Sequence, residues 1–213
     1  DSLVDGDLCR KPDMSGYFEL LKALRRGLWD FDLGDEFILK NHGVCSTEGL
    51  TVGQQTYRVI ILPREASSML SSTMELLKDF LDMGGLVLWG GFSRGEQDTQ
   101  AYGGSLPGQL PAFWLDGTEN ESALENLKAA AGTVCFDSED DLKTELQKRL
   151  YPNIVAKKGL PDGVEVMQRE TDDCLILFAI NHSLHRIEDV LAAGGTGARR
   201  WDPFTGSRRP KRS

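Results

Sequence analysis

The stretch from Tyr57 to Gly91 constrains this chain more than any other. Tyr57-Arg58-Val59-Ile60-Ile61-Leu62 is an apolar, β-branched run ended by Pro63. Its apolarity is unbroken rather than alternating, which predicts a strand covered on both faces, as in a parallel sheet. Ser72-Thr73-Met74-Glu75 follows as a capping-box pattern, in which Ser and Glu satisfy each other's backbone amides. Leu70, Met74, Leu77 and Leu81 then mark one helical stripe. Gly84-Gly85 ends the helix, since glycine accepts the left-handed conformation there. Leu86 to Trp89 is a second buried strand, closing on Gly90-Gly91. Parallel strands need such a crossover, and the expected connection is right-handed.

The flanking segments extend the same alternation. Tyr17 to Leu28 predicts a helix with Phe18, Leu21, Leu24 and Leu28 on one face and Ser15 as its cap. Phe37 to Leu39 suggests a short strand, and Asn41 to Gln55, with three glycines, a loop or hairpin. Phe92 to Asn120 is a long segment rich in Gly, Pro and Gln, the kind that is functional or docks onto something else. A second capping box, Ser122 to Glu125, starts a helix reaching Ala131 and stopped by Gly132. Thr133 to Phe136 is a short strand, and Ser138 caps a helix carrying Leu142, Leu146 and Leu150 on one face. Helices alternating with short buried strands predict a doubly wound α/β fold with a mostly parallel sheet.

The pattern changes after Tyr151-Pro152. Val164 to Thr171, Cys174 to Asn181, Arg186 to Ala192 and Ala198 to Trp201 read as strands, separated by turn signals. The expected organisation is an α/β domain over 1–152 and a small antiparallel β appendage over 153–213.

Charge and composition narrow the partners. The 213 residues are 40% hydrophobic and carry a formal net charge of −9. An acidic body repels nucleic acid and anionic lipid, so neither is expected as a partner. No stretch approaches the roughly 20 apolar residues of a membrane span. The acidic start is unlike a signal peptide, and the lack of an initiator Met suggests a piece of a longer protein. The basic end, Arg199, Arg200, Arg208, Arg209, Lys211 and Arg212, reads as a solvated tail or an anion site. The four cysteines, Cys9, Cys45, Cys135 and Cys174, include no CxxC pair. Cys135 and Cys174 sit in apolar runs and are expected in the core. A reducing compartment, the cytoplasm, fits this usage.

Reactive residues are sparse. The histidines are His42, His182 and His185, and no pair has metal-ligand spacing, so neither a metal nor a cofactor is expected. Asp30, Asp32, Asp35 and Glu36 form an acidic cluster, expected as a solvated loop face. Asn120-Glu121-Ser122 and Asn181-His182-Ser183 match the glycosylation acceptor pattern, with nothing else pointing to secretion. Gly91-Phe92-Ser93-Arg94-Gly95 matches G-x-S-x-G, but Glu96 to Gln109 reads as loop where a nucleophile elbow needs a helix.

Ile61-Leu62-Pro63 followed by Gly85-Leu86-Val87-Leu88-Trp89-Gly90-Gly91 resembles the class I glutamine amidotransferase-like, flavodoxin-like fold. In that family a strand of the second type carries the catalytic cysteine. The register of the resemblance puts Gly91 in that position, and glycine supplies no thiol. Phe178-Ala179-Ile180-Asn181-His182-Ser183 and Trp201-Asp202-Pro203-Phe204-Thr205-Gly206 widen the resemblance over Gly49 to Gly206. Together they are similar to the middle and C-terminal parts of large glycoside hydrolases, of the rhamnosidase type or the β-galactosidases with a trimerisation domain.

In those enzymes the catalytic carboxylates lie on a separate barrel. The resemblance therefore implies a non-catalytic accessory domain of a larger, bacterial carbohydrate-active enzyme, serving packing, oligomerisation or framing of the substrate cleft. Its expected partners are the adjacent catalytic domain or a second copy, with carbohydrate as a candidate ligand. Any ligand is expected outside the carboxyl ends of the strands, at Arg64, Glu65, Gly90, Gly91, Phe92, Ser93 and Arg94. Tyr102, Phe113 and Trp114 are candidates for aromatic surface or for core. Two alternatives stay open: a hydrolase or amidotransferase-like enzyme using Ser93 or Cys45, and a carbohydrate-binding module.

Overall fold

The computed structural model describes residues 15–92, 113–152, 154–157, 159–161, 163–188, 191–194, 197–202 and 204–210. The fold mixes helices with one parallel sheet and several small antiparallel sheets. The chain divides into two compact units. The first takes the chain up to Arg25 with Phe31–Tyr151, and the second takes Arg26–Asp30 with the chain from Pro152 onward. In chain order the first elements are α1 (Ser15–Arg26), α2 (Glu36–His42), β1 (Gly43–Ser46), β2 (Gly49–Val52), β3 (Gln55–Tyr57), β4 (Val59–Pro63) and β5 (Ser68–Met69). Then come α3 (Ser71–Asp82), β6 (Leu86–Gly90), β7 (Trp114–Leu115), β8 (Thr118–Glu119), α4 (Glu121–Ala129), β9 (Thr133–Phe136) and α5 (Glu139–Gln147).

In the first unit β6 lies between β4 and β9 and is parallel to both. Every residue of β6 is buried, and Val87 and Leu88 are fully so. Full burial of such a side chain stabilises by about 1.5–3 kcal/mol. By contrast β4 is half-buried along its length, because among the described residues it is the edge of its sheet. The apolar run expected as one strand is in fact two. Tyr57 closes β3, which pairs antiparallel with β2, and Val59 opens β4 after a bend at Arg58. Continuous apolarity reports burial but not which sheet a residue joins.

Helix α3 packs Leu77, Phe80 and Leu81 into a core with Val87, Trp89, Phe113, Leu124 and Leu127. The capping box at Ser72 does not form, because the helix already begins at Ser71. Two carboxylates distant in sequence do its work. Leu70 N–H donates to Glu36 Oε1 at 2.8 Å and Ser71 N–H to Asp116 Oδ1 at 2.9 Å. The C-terminus follows the glycine signal. Gly84 has φ +87°, its N–H donates to the Leu81 carbonyl, and Gly85 N–H donates to the Phe80 carbonyl. These two bonds are the Schellman arrangement.

Other helix starts shift by small amounts. Asn120, not Ser122, caps α4, accepting from Ala123 N–H at 3.0 Å. Ser138 caps α5 as expected, accepting from Asp141 N–H at 3.1 Å, and Leu142 and Leu146 are buried. In α1 the buried side chains are Leu20, Ala23 and Leu24, while Phe18 is 56% exposed, so the inward stripe is rotated from the expected one. Residues 37–39, expected as a strand, are helical in α2, because Asp35 accepts from the N–H groups of Phe37 and Ile38. The hairpin expected over 41–55 is present as the antiparallel meander β1-β2-β3. Trp114–Leu115 and Thr118–Glu119 form a two-residue hairpin through Asp116-Gly117, both with positive φ, as a type I′ turn requires.

The second unit holds β10 (Ile154–Ala156), β11 (Val164–Glu170), β12 (Leu175–Asn181), β13 (Leu191–Ala193), β14 (Arg199–Trp201) and β15 (Arg208–Pro210). All pairs are antiparallel: β10 with β13, β11 with β12, and β14 with β15. Leu28, Ile154 and Leu160 centre its core, lined by Val164, Val166, Leu175, Leu177 and Leu191. Asp202 holds a turn at Phe204 and Thr205, its carboxylate accepting from both of their N–H groups. Gly206 takes φ +66° there. Asn181 likewise builds a turn, accepting from Ser183 N–H at 2.9 Å and donating to the His185 carbonyl at 2.8 Å.

Candidate functional site

The carboxyl ends of β4, β6 and β9 bring together Arg64, Glu65, Gly90, Gly91, Phe92, Phe136 and Asp137. Arg64 N–H donates to the Gly90 carbonyl at 2.8 Å, extending the parallel pairing by one bond. The Arg64 guanidinium reaches across β6 and pairs with the Asp137 carboxylate. Gly90 sits so close to β9 that a Cβ there would lie 2.0 Å from the Phe136 carbonyl oxygen. Phe92 and Phe136 meet edge to face, with ring centroids 6.2 Å apart. Ser93 and Arg94, also expected here, lie outside the described residues, as does Tyr102.

Gly91 differs from Gly90. Its φ is outside the left-handed region, and a Cβ would meet Arg64 Cβ at an ordinary 3.5 Å. Among the described residues, packing therefore leaves room for a Cβ at this position. Glu65 Oε2 stands 3.9 Å from that same point, buried, with no hydrogen-bond partner among the described residues. The other oxygen of Glu65 occupies the space a Cβ on Gly16 would fill, so α1 approaches the site on bare backbone.

The remaining candidates are elsewhere. Cys45, in β1, points its thiol at the Leu76 carbonyl, 3.5 Å away. Burial, and then the charge of Asp79, push its pKa up, so the nucleophilic thiolate is disfavoured. Among the described residues no histidine is hydrogen-bonded to it. Cys135 and Cys174, expected in the core, are exposed. Cys135 lies in β9, where Phe136 carries the burial, and Cys174 stands just before β12, none of whose residues is buried; apolar neighbours alone do not say which face a cysteine takes. His182 in the second unit stands 3.9 Å from Glu165.

The acidic cluster faces solvent at Asp30, Asp32 and Asp35, as expected, and its carboxylates also hold local structure. Asp35 caps α2, Glu36 caps α3, and Asp32 accepts from the Tyr57 hydroxyl at 2.7 Å. Phe113 is fully buried in the core, while Trp114 is 42% exposed. Among the described residues no group of three or more His, Cys, Asp or Glu is placed to hold a metal ion, and no helix is long and apolar enough to cross a membrane.

Sequence reasoning missed Phe136, Asp137 and Gly16. Asp137 follows Phe136, the register partner of Gly90, so aligning the three strand ends was the signal that reaches it. Nothing local marks Gly16. No family model matches this chain, and no curated protein or solved structure matches it either.

Proposed function

We propose that this chain is a non-catalytic accessory part of a larger carbohydrate-active enzyme, packing against a catalytic domain or a second copy and framing a cleft for carbohydrate. On this reading the parallel sheet is the core of a doubly wound, amidotransferase-like fold working in a reducing compartment. The observation that carries it is the pair of glycines ending β6. Gly91 stands where the resemblance puts a nucleophile and offers no side chain, although a Cβ there meets only ordinary contacts among the described residues. The Arg64–Asp137 ion pair beside it spans the strand ends where such folds bind ligand. With Asp137 exposed and Arg64 half-buried, the pair contributes at most about 1 kcal/mol, and the exposed Asp137 carboxylate can accept from a hydroxyl-rich ligand.

The test is covalent and kinetic. A fluorophosphonate probe and an iodoacetamide probe should leave Ser93 and Cys45 without selective labelling, and p-nitrophenyl acetate and γ-glutamyl anilide should not be turned over. Turnover lost in Ser93→Ala or Cys45→Ala would overturn the accessory reading in favour of a hydrolase or amidotransferase. Sequencing the gene beyond this chain should find a barrel domain in the same reading frame, and a frame holding none would overturn the association with a carbohydrate-active enzyme.

A further inference from the structure

A second concave surface lies in the first unit, at the opposite end of the parallel sheet. It is a cleft of about 410 Å³. Four segments converge on it: the β1–β2 turn with Ser46 and Glu48, the β3–β4 bend at Arg58, the α3 terminus at Met83 and Gly84, and the chain after α5 at Arg149. Gly85 leads into Leu86 and Arg58 into Val59, so the cleft opens at the amino ends of β6 and β4.

Its charge is unusual for a body with net charge −9. Two guanidiniums line it. Arg149 Nη1 donates to the Gly84 carbonyl at 3.2 Å, which fixes that arm in place while its other donors stay unused by any described contact. Arg58 has no hydrogen-bond or ion-pair partner among the described residues. Glu48 lines the cleft too, yet it forms no ion pair with either arginine among the described residues. The nearby amides are already spoken for: Gly84 and Gly85 donate to helix carbonyls and Glu48 N–H to Ser46 Oγ. What the cleft offers is therefore guanidinium N–H groups in a forked geometry that suits oxyanions. Gly84, with φ +87° and open space where a Cβ would be, keeps the wall clear of side chain.

We propose that this cleft is an anion-binding site, in which Arg58 and Arg149 grip a phosphate or carboxylate group of a small ligand. Glu48 opposes that anion and sets its affinity. The site is separate from the carboxyl-end cluster and does not depend on how that cluster functions.

Isothermal titration of the whole chain tests this, with inorganic phosphate and glucuronate as separate probes. Saturable binding of either one, at roughly millimolar Kd, supports the site, and the one that binds tells phosphate from carboxylate. Arg58→Ala and Arg149→Ala should each weaken that binding about tenfold, as loss of a charge-assisted hydrogen bond does. Glu48→Gln should tighten it several-fold, a gain that misfolding cannot produce. Arg186→Ala, which removes one positive charge from the exposed Arg186–Glu188 pair in the second unit, should leave it unchanged. No saturable binding of either probe would overturn the proposal. So would indifference to both arginine substitutions, weakening by Glu48→Gln, or equal weakening by Arg186→Ala.

Discussion

Substituting Gly90 and Gly91 one at a time separates a glycine demanded by packing from one that packing does not demand. In Gly90→Ala the new Cβ falls 2.0 Å from the Phe136 carbonyl oxygen, whereas ordinary contact begins at 3.4 Å. The gap is short by about 1.4 Å, far up the repulsive wall. The obstructing atom is backbone, so no rotamer change relieves it, and β6 and β9 must part. Parting them strains the Gly90–Phe136 pairing and the 2.8 Å bond from Arg64 N–H to the Gly90 carbonyl. Each such bond contributes about 1 kcal/mol net, and overpacking adds about 1–3 kcal/mol. The expected loss is about 3 kcal/mol, or roughly 6–12 °C in Tm for a unit of this size. Gly91→Ala meets nothing closer than 3.5 Å among the described residues and removes freedom from the unfolded chain. It should change stability by less than about 1 kcal/mol, toward stabilisation. Urea unfolding followed by circular dichroism measures both, with unchanged m-values expected. Equal losses from the two substitutions, or a loss below about 1 kcal/mol for Gly90→Ala, would refute the geometric argument.

Three further outcomes are expected. Thr73 is buried in α3 and its hydroxyl has no hydrogen-bond partner among the described residues, so Thr73→Val should stabilise by about 1 kcal/mol in the same urea assay. Hydrogen bonds from the Ser71 hydroxyl and amide hold the Asp116 carboxyl below its usual value. A lowered folded pKa contributes stability that is present above the unfolded value, about 3.9, and is lost as pH falls through the folded one; Asp116→Asn should therefore flatten the fall in Tm below about pH 4. Exposed Cys135 and Cys174 should alkylate with iodoacetamide well before Cys45, whose thiol is packed against Leu76 and held protonated; peptide mass mapping reads the order.

What was legible in the sequence is what local chemistry decides. The buried strand at Leu86–Gly90, the stop at Gly84-Gly85 and the cap at Ser138 follow from residues within a few positions of each other. The misses share the opposite cause. Ser72 looked like the cap of α3, yet Glu36 and Asp116, 34 and 45 residues from the amides they bind, took the role. Once a carboxylate arrives from elsewhere, the helix can start one residue earlier. The acidic residues at 30–36 do face solvent as expected, but charge composition cannot show that the Asp35 and Glu36 carboxylates also accept from peptide N–H groups. Asp116-Gly117 was a local signal that the surrounding Gly- and Pro-rich segment concealed. At the candidate site the strand ends were readable, but the cross-strand partner Asp137 was not, because register is a property of pairing rather than of either strand.

The two ends of the parallel sheet are chemically opposite, and this bears on where ligands are to be sought. At the carboxyl ends Arg64 is already matched by Asp137, and Glu65 adds a further carboxyl group. A neutral, hydroxyl-bearing ligand suits such a surface, because it can accept from Arg64 and donate to a carboxylate without leaving a charge unbalanced. At the amino ends Arg58 and Arg149 outnumber Glu48 and pair with no carboxylate among the described residues. An anion therefore gains there what it would lose at the other end. If both sites operate, anion binding should be indifferent to Arg64→Ala, and neutral sugar binding indifferent to Arg58→Ala. Crossed effects in those two variants would mean that the ends are not independent, since groups this far apart in function couple only through a shared rearrangement of β4 and β6.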